Sequence, residues 1–226
     1  MEYDFDFGVL WGYRGMMAES IWVTVQIAFS AILLGTAIGV LVGATRHYSS
    51  GSFKAFPIWA FVTGYVYLFL SIPALVFILW LYYCLPIFGV DISAYATAIL
   101  ALGLNLSPFA AEIFRSGLAN IPQGELNAAR AIGYTRVQTL FLFMVPQIFR
   151  NSVPPMMNQY YTTVKLSSLA SVIGVFEIVN TAQEVINQTY KTLEVYTAVA
   201  LCYAVIIVPM AALSKRYEAR VLIKRV

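Results

Sequence analysis

Charge is what this chain has least of. Only 11% of its 226 residues are Asp, Glu, Lys or Arg, against 60% that are hydrophobic. A water-soluble domain of this length needs a far more polar surface, so the composition excludes an ordinary soluble protein and points to the lipid bilayer. Cysteine is almost missing, and its two copies, Cys84 and Cys202, lie far apart in apolar segments, which excludes a disulfide framework. The single histidine, His47, stands beside Arg46 with no cluster of acids or thiols around it, so no metal site is expected. The pattern Gly-x-x-x-x-Gly-Lys-[Ser/Thr] does not occur, so the chain lacks the usual cradle for nucleotide phosphates and is expected not to be an enzyme. No nucleic-acid module is visible, and the basic tail KRYEARVLIKRV suits anionic lipid better. A signal peptide is not expected either, because MEYDFDFGVLWGYRGMM places three acids before its first base. Within residues 1–19, read as an external segment, Phe5, Phe7, Leu10 and Trp11 suit an interfacial stretch against the outer leaflet, with a flexible tail as the alternative.

What the chain has instead is apolar length. Ile21 to Ala44 carries no charge and is long enough, at about 1.5 Å per residue, to cross a hydrocarbon core of about 30 Å. Gly35, Gly39 and Gly43 recur within it every four residues, a surface for close helix packing. Ala55 to Val90 is also uncharged but too long for one straight crossing. A break is therefore expected at Ser71-Ile72-Pro73, either a broken helix lining a cavity or a simple proline kink. Ala94 to Ala111 is a third span, Val153 to Val175 a fourth with Pro154 and Pro155 at its start, and Val195 to Leu213 a fifth. The polar stretch Phe176 to Glu194 reads as an external loop with some helix. The expected fold is all-α, a polytopic membrane protein of about five transmembrane helices forming one domain over residues 1–226.

Basic residues choose the orientation. Arg46, Lys54, Arg115, Arg130, Arg136, Arg150, Lys215, Arg216, Arg220, Lys224 and Arg225 fall on one side, eleven of the fourteen Lys and Arg. Arg14 and Lys191 fall on the other, and Lys165 lies inside a span. The positive-inside rule then places the N-terminus outside and the tail, residues 214–226, in the cytoplasm.

The polar, basic interval Asn120 to Pro146 is expected to hold two short helices in a cytoplasmic loop spanning residues 116–150. Asn120 can cap the first, with Pro122 in its first turn, Gln123 as in a capping box, and Gly133 ending it. Thr135 and Gln138 form a second capping box, after which Val137, Leu140, Phe141, Met144 and Val145 recur at helical spacing and should bury one face up to Pro146. The centre of the first helix, Ala128 and Ala129 flanked by Glu125, Asn127 and Arg130, would let another surface approach the backbone.

The run Asn127-Ala-Ala-Arg-Ala-Ile-Gly133, followed after nine residues by Phe143-Met-Val-Pro146, resembles the loop of ABC importer permeases that contacts the ATP-hydrolysing subunit. Ala111-Glu-Ile-Phe-Arg115, Ile121-Pro-Gln-Gly124 and Ser171-Val-Ile-Gly-Val175 resemble its polar amino-acid branch, and the likeness runs in order from about Gly15 to Leu213. The resemblance implies a permease in a bacterial inner membrane, with two ATPase subunits that bind the ATP, a second permease subunit and an external solute-binding protein. It implies that Glu125, Asn127, Ala128, Ala129, Arg130 and Gly133 serve ATPase coupling. Asn127 replaces the family's usual Glu, and Glu125, two positions earlier, points elsewhere on the helix. Leu70, before Ser71-Ile-Pro73, stands where the family has an Arg, so a heterodimer is preferred to a homodimer. The same tripeptide with Leu79-Trp-Leu-Tyr-Tyr83 resembles permeases for acidic amino acids.

Lys165 is the most informative single residue. It follows Pro154 by eleven positions, roughly 16 Å along a helix, and a charge at mid-membrane costs ~2.5–3.5 kcal/mol unless it meets a partner or a wet cavity. It is expected either in the substrate path or in an ion pair with Glu112 or Glu177. Leu166 stands where relatives often carry an Asp. Asn158, Gln159, Tyr160, Thr162, Thr163, Ser167 and Ser168 make this span unusually polar. The candidate pathway residues are Lys165, Asn158, Gln159, Ser167, Ser168, Ser71 and Glu112. The expected function is ATP-driven import of a polar amino acid, and the rival is a self-sufficient transporter or channel driven by an ion gradient.

Overall fold

The structure is a computed structural model in which residues 5–50 and 55–223 are described, without the side chains of Arg136 and residues 221–223. Lys54, Lys224 and Arg225, used above in the charge argument, lie outside the described residues, as do Glu2 and Asp4, two of the acids ahead of the first base, and the Arg136 side chain. Among the described residues the elements are helical: α1 Val9–Gly12, α2 Arg14–Ser49, α3 Phe56–Ser71, α4 Ala74–Tyr83, α5 Ala94–Ala119, α6 Gln123–Ala131, α7 Arg136–Thr139, α8 Val145–Leu166, α9 Ile178–Thr189 and α10 Thr192–Ile223. Short 3-10 turns occupy Leu85–Phe88 and Ser167–Ile173. Three helices are long and apolar enough to cross a membrane, and five spans result if each of two bent helix pairs counts as one.

The first bent pair is α3 with α4, where the chain turns through 102°. Pro73 is the residue immediately before α4, at φ −59° and ψ 136°. It therefore ends one helix and opens another rather than kinking a continuous one, because a proline disfavours helical backbone in the residue before it. Of the two expectations for this stretch, the broken helix is the one observed. The second pair, Val137–Ile173 with Ile178–Thr189, bends by 51°.

The chain divides into two compact units. One comprises Met1–Leu33, Ile72–Gly103 and Tyr161–Met210. Its core is built on α9, where Ile178, Ala182 and Val185 recur at helical spacing and pack with Val195 and Val199 of α10 and with Leu10, Tyr13 and Ile21. The stretch Phe176 to Glu194, expected as a loop with some helix, does hold a helix, and that helix is packed on one face. Glu177 and Glu194 are fully buried. Glu177 caps α9, accepting the N–H groups of Val179 at 2.8 Å and Asn180 at 2.9 Å, while Glu194 accepts that of Asp6 at 3.0 Å. Buried carboxylates persist when backbone donors replace lost water in this way. Leu10 joins this core, whereas Phe5, Phe7 and Trp11 are exposed.

The other unit comprises Leu34–Ser71, Leu104–Tyr160 and Ala211–Val226. Here α2 lies against α5 through the glycine repeat, as expected from its spacing. A Cβ on Gly39 would stand 2.8 Å from the Ser107 carbonyl oxygen, and one on Gly43 2.5 Å from that of Ala111. Only glycine permits that approach. Tyr65 and Ser107 share a hydrogen bond of 2.5 Å, and Thr36 and Tyr160 one of 3.1 Å.

Pro146 does not end the second loop helix. Residues Leu140–Met144 form a π turn, with the Val145 N–H bonded to the Leu140 carbonyl, and lead from α7 directly into α8. The wider turn accommodates a proline whose ring would clash with the carbonyl four residues back in an α-helix. The helix also passes through Pro154 and Pro155, so the fourth span starts earlier than the prolines indicated. Similarly α10 runs unbroken past Leu213 into the basic tail.

Candidate functional site

The loop helix α6 begins at Gln123, with Pro122 as the extended residue before it and no side-chain cap. Asn120 does not cap it, since its amide donates to Ser116 at 3.4 Å at the close of α5. The C-terminus follows the sequence reading closely. Gly133 sits at φ +87°, its N–H bonds the Arg130 carbonyl at 3.0 Å, and the Tyr134 N–H reaches back to Ala129 at 3.1 Å. These are the two bonds of a Schellman closure. Thr135 and Gln138 then make the expected reciprocal capping box, with bonds of 2.9 and 3.2 Å.

Helical geometry divides the small pair. Ala129 is 1% exposed and faces the protein, whereas Ala128 is exposed together with Glu125, Asn127 and Arg130. The outward surface of α6 is thus one small residue bordered by polar ones. Glu125 is held by the Gln147 amide, which donates to its carboxylate. The apolar face expected on the following helix is not buried. Val137 is 65% and Phe141 63% exposed, because the π turn breaks the 3.6-residue period on which that face was drawn. Leu140 and Met144 instead line a recess of about 440 Å³ with His47, Tyr48, Leu126 and Arg130.

Beside this region lies a cluster of charge. Arg46 of α2 pairs with Glu112 of α5, which also binds Arg115 at 2.8 Å. The Arg46 Nε–H donates to Thr63 at 3.2 Å, and its guanidinium lies 5.5 Å from the Tyr67 ring centre. One buried arginine therefore ties α2, α3 and α5 together. Sequence reasoning placed Glu112 but missed Arg46 and Thr63, since nothing in their spacing links residues so far apart.

The pathway candidates divide between the units. Ser71, Glu112, Asn158 and Gln159 belong to one, and Lys165, Ser167 and Ser168 to the other. Three of the hydroxyls bond backbone carbonyls of their own segments: Ser71 to Tyr67 at 2.8 Å, Ser167 to Val164 at 2.7 Å, and Ser168 to Lys165 at 2.8 Å. Ser167 is fully buried. On α8 the residues Asn158, Thr162 and Lys165, spaced i, i+4, i+7, form one exposed polar stripe, while Thr163 is buried. Neither carboxylate considered for Lys165 is paired with it. Glu112 is taken by two arginines, and Glu177 by backbone donors and Tyr203 at 3.4 Å, so among the described residues Lys165 forms no ion pair. Among the described residues no cluster of His, Cys, Asp or Glu could hold a metal.

Comparison with known proteins bears on this arrangement. The chain is 31% identical over 205 residues to a probable glutamine ABC transporter permease protein of Bacillus subtilis, covering 89% of this chain and 92% of that one. It is 29% identical over 218 residues to the glutamine transport system permease protein of Escherichia coli K12, covering 96% and 97%. Among solved structures, an amino acid ABC transporter with histidines matches with a TM-score of 0.85 at 28% identity, over 96% of this chain and 100% of that one. A methionine ABC transporter in an inward-facing conformation shares the fold, with a TM-score of 0.76 at 22% identity, over 93% and 98%. Residues 35–223 match the family described as binding-protein-dependent transport system inner membrane component, and the chain belongs to that family.

Proposed function

We propose that the chain is the permease subunit of an importer that carries a polar amino acid inward, with ATP hydrolysed on a separate pair of ATPase subunits and no cofactor held by this chain. The observation that carries the reading is the stripe Asn158, Thr162 and Lys165, polar and exposed on a helix that continues directly from the loop region. A lysine without a partner carboxylate inside a span belongs in water or against a substrate rather than in lipid. In this reading Lys165 meets the substrate carboxylate. Ser167 and Ser168 of the same unit as Lys165, and Asn158, Gln159, Ser71 and Glu112 of the other, are the further candidates for contact with the substrate. The names of the relatives, which transport glutamine or L-cystine, support an amino-acid substrate.

The exposed surface of α6, from Glu125 through Asn127, Ala128 and Arg130 to the joint at Gly133, is the ATPase contact. Ala128 allows the close approach and the polar residues set its register. The surplus of Lys and Arg on the loop and tail supports a cytoplasmic side for both, with the N-terminus outside. Leu70, in place of the family's arginine, supports a heterodimer with a second permease, and an external solute-binding protein delivers the substrate.

The test is to tag the chain, extract it in mild detergent and identify its companions by mass spectrometry. Co-recovery of an ATPase bearing a phosphate loop is expected, with a second permease if the dimer is mixed. Reconstituted with those subunits, Lys165→Ala should abolish uptake of the preferred amino acid and Lys165→Arg should retain part of it. Uptake that survives ATP depletion but collapses with the ion gradient would overturn the reading.

A further inference from the structure

Beyond the coupling surface and the substrate path, α8 and the end of α10 enclose a groove of about 380 Å³. We propose that this groove binds one anionic phospholipid. The proposal rests on the membrane-spanning reading of the chain but on neither its substrate nor its ATPase.

The lining has two parts. Val153 and Met157, one turn apart on α8, form an apolar wall with Leu213 of α10, and Arg216, Tyr217 and Arg220 form the rim. Leu213, Arg216, Tyr217 and Arg220 fall at i, i+3, i+4 and i+7, hence on one face of the helix. The last uncharged apolar run of the chain, Val195 to Leu213, ends where this face becomes basic. That is the depth at which acyl chains give way to headgroups. An apolar wall capped by two guanidiniums one turn apart fits an amphipathic ligand with an acidic head, and guanidinium forks match phosphate oxygens in pairs. No acid lines the groove. Glu218, two residues from Arg216, points away around the helix, and among the described residues Arg216 and Arg220 are exposed and form no ion pair. The complementarity is therefore to a negative ligand from outside the chain.

The experiment uses the assembled complex in nanodiscs of phosphatidylcholine mixed with phosphatidylglycerol, followed by stepwise delipidation and native mass spectrometry of the lipid retained. Unmodified protein should retain phosphatidylglycerol in preference to phosphatidylcholine. Arg216→Gln and Arg220→Gln should each lower that retention by about fivefold or more, because each removes a guanidinium fork that pairs directly with phosphate oxygens, and the double variant should lower it further. Lys215→Gln removes the same charge from a neighbouring position outside the groove and should change retention by less than about twofold. The proposal is overturned if Lys215→Gln costs as much as Arg220→Gln, which would mean diffuse surface charge only. It is likewise overturned if phosphatidylglycerol is not enriched, or if a photo-crosslinker at Tyr217 reacts with a partner subunit instead of lipid. Failure of the permease reading would be seen separately, as loss of the companion ATPase from all the samples.

Discussion

Replacing Gly133 should disturb the joint after α6 without disturbing the helices it connects. Gly133 is held at φ +87°, where the Schellman closure ends α6. A residue with a Cβ held in left-handed backbone costs about 1–2 kcal/mol, and a β-branched one more. Nothing lies within 4 Å of a Cβ built there, so the penalty is purely conformational. That permits a graded series. Asparagine tolerates positive φ and should behave almost as glycine, alanine should be intermediate, and valine worst. One to two kcal/mol shifts the population of the closed joint by roughly 5- to 30-fold. In proteoliposomes holding the complete transporter, Gly133→Ala should therefore keep hydrolysing ATP while substrate taken up per ATP falls within that range, and Gly133→Val should fall at or beyond its upper end. An unchanged ratio in Gly133→Val, or Gly133→Asn as damaging as valine, would refute the argument that backbone geometry at this residue couples the two events.

Three other pairs of substitutions test the packing. Glu112→Ala leaves the buried Arg46 without its carboxylate and should lower stability by about 1–3 kcal/mol, discounted because Glu112 is partly exposed, whereas Arg115→Ala should cost under about 1 kcal/mol. Thermal unfolding in detergent separates the two, and equal shifts would contradict the cluster. Gly39→Ala drives a methyl into the Ser107 carbonyl and should destabilise by about 1–3 kcal/mol, while Gly64→Ala, with open space around it, should be neutral or slightly stabilising. Glu177→Ala removes the cap of α9 and should cost about 1–2 kcal/mol; Glu177→Gln keeps an acceptor oxygen and should lose less, an order that chemical denaturation would check.

Much of the architecture could be read from short-range chemistry. The glycine repeat, the break at Pro73, the closure at Gly133 and the Thr135–Gln138 box each depend on residues a few positions apart, and each appears where spacing put it. What could not be read depends on distance in the chain. The stretch Phe176 to Glu194 reads as a polar loop with some helix, and the burial of Glu177 was out of reach, because backbone donors that satisfy a buried glutamate leave no trace in sequence. The junction of Arg46, Thr63 and Glu112 depends equally on tertiary packing. Ala129 differs from Ala128 for another reason: neighbours on a helix stand about 100° apart, and the structure turns Ala129 toward the protein.

The π turn at Leu140–Met144 has a consequence for sequence change in this region. Such a turn is equivalent to one residue inserted into an α-helix. Deleting a single residue there would restore continuous α geometry and leave the flanking turns close to their present phase, because the bulge holds its extra residue within one widened turn. The same deletion in a stretch of plain α-helix would rotate everything before it by about 100° around the helix axis. A one-residue deletion in this segment is therefore absorbed by loss of the wide turn. What the deletion would change is the setting of Pro146, whose ring would then meet the carbonyl four residues back.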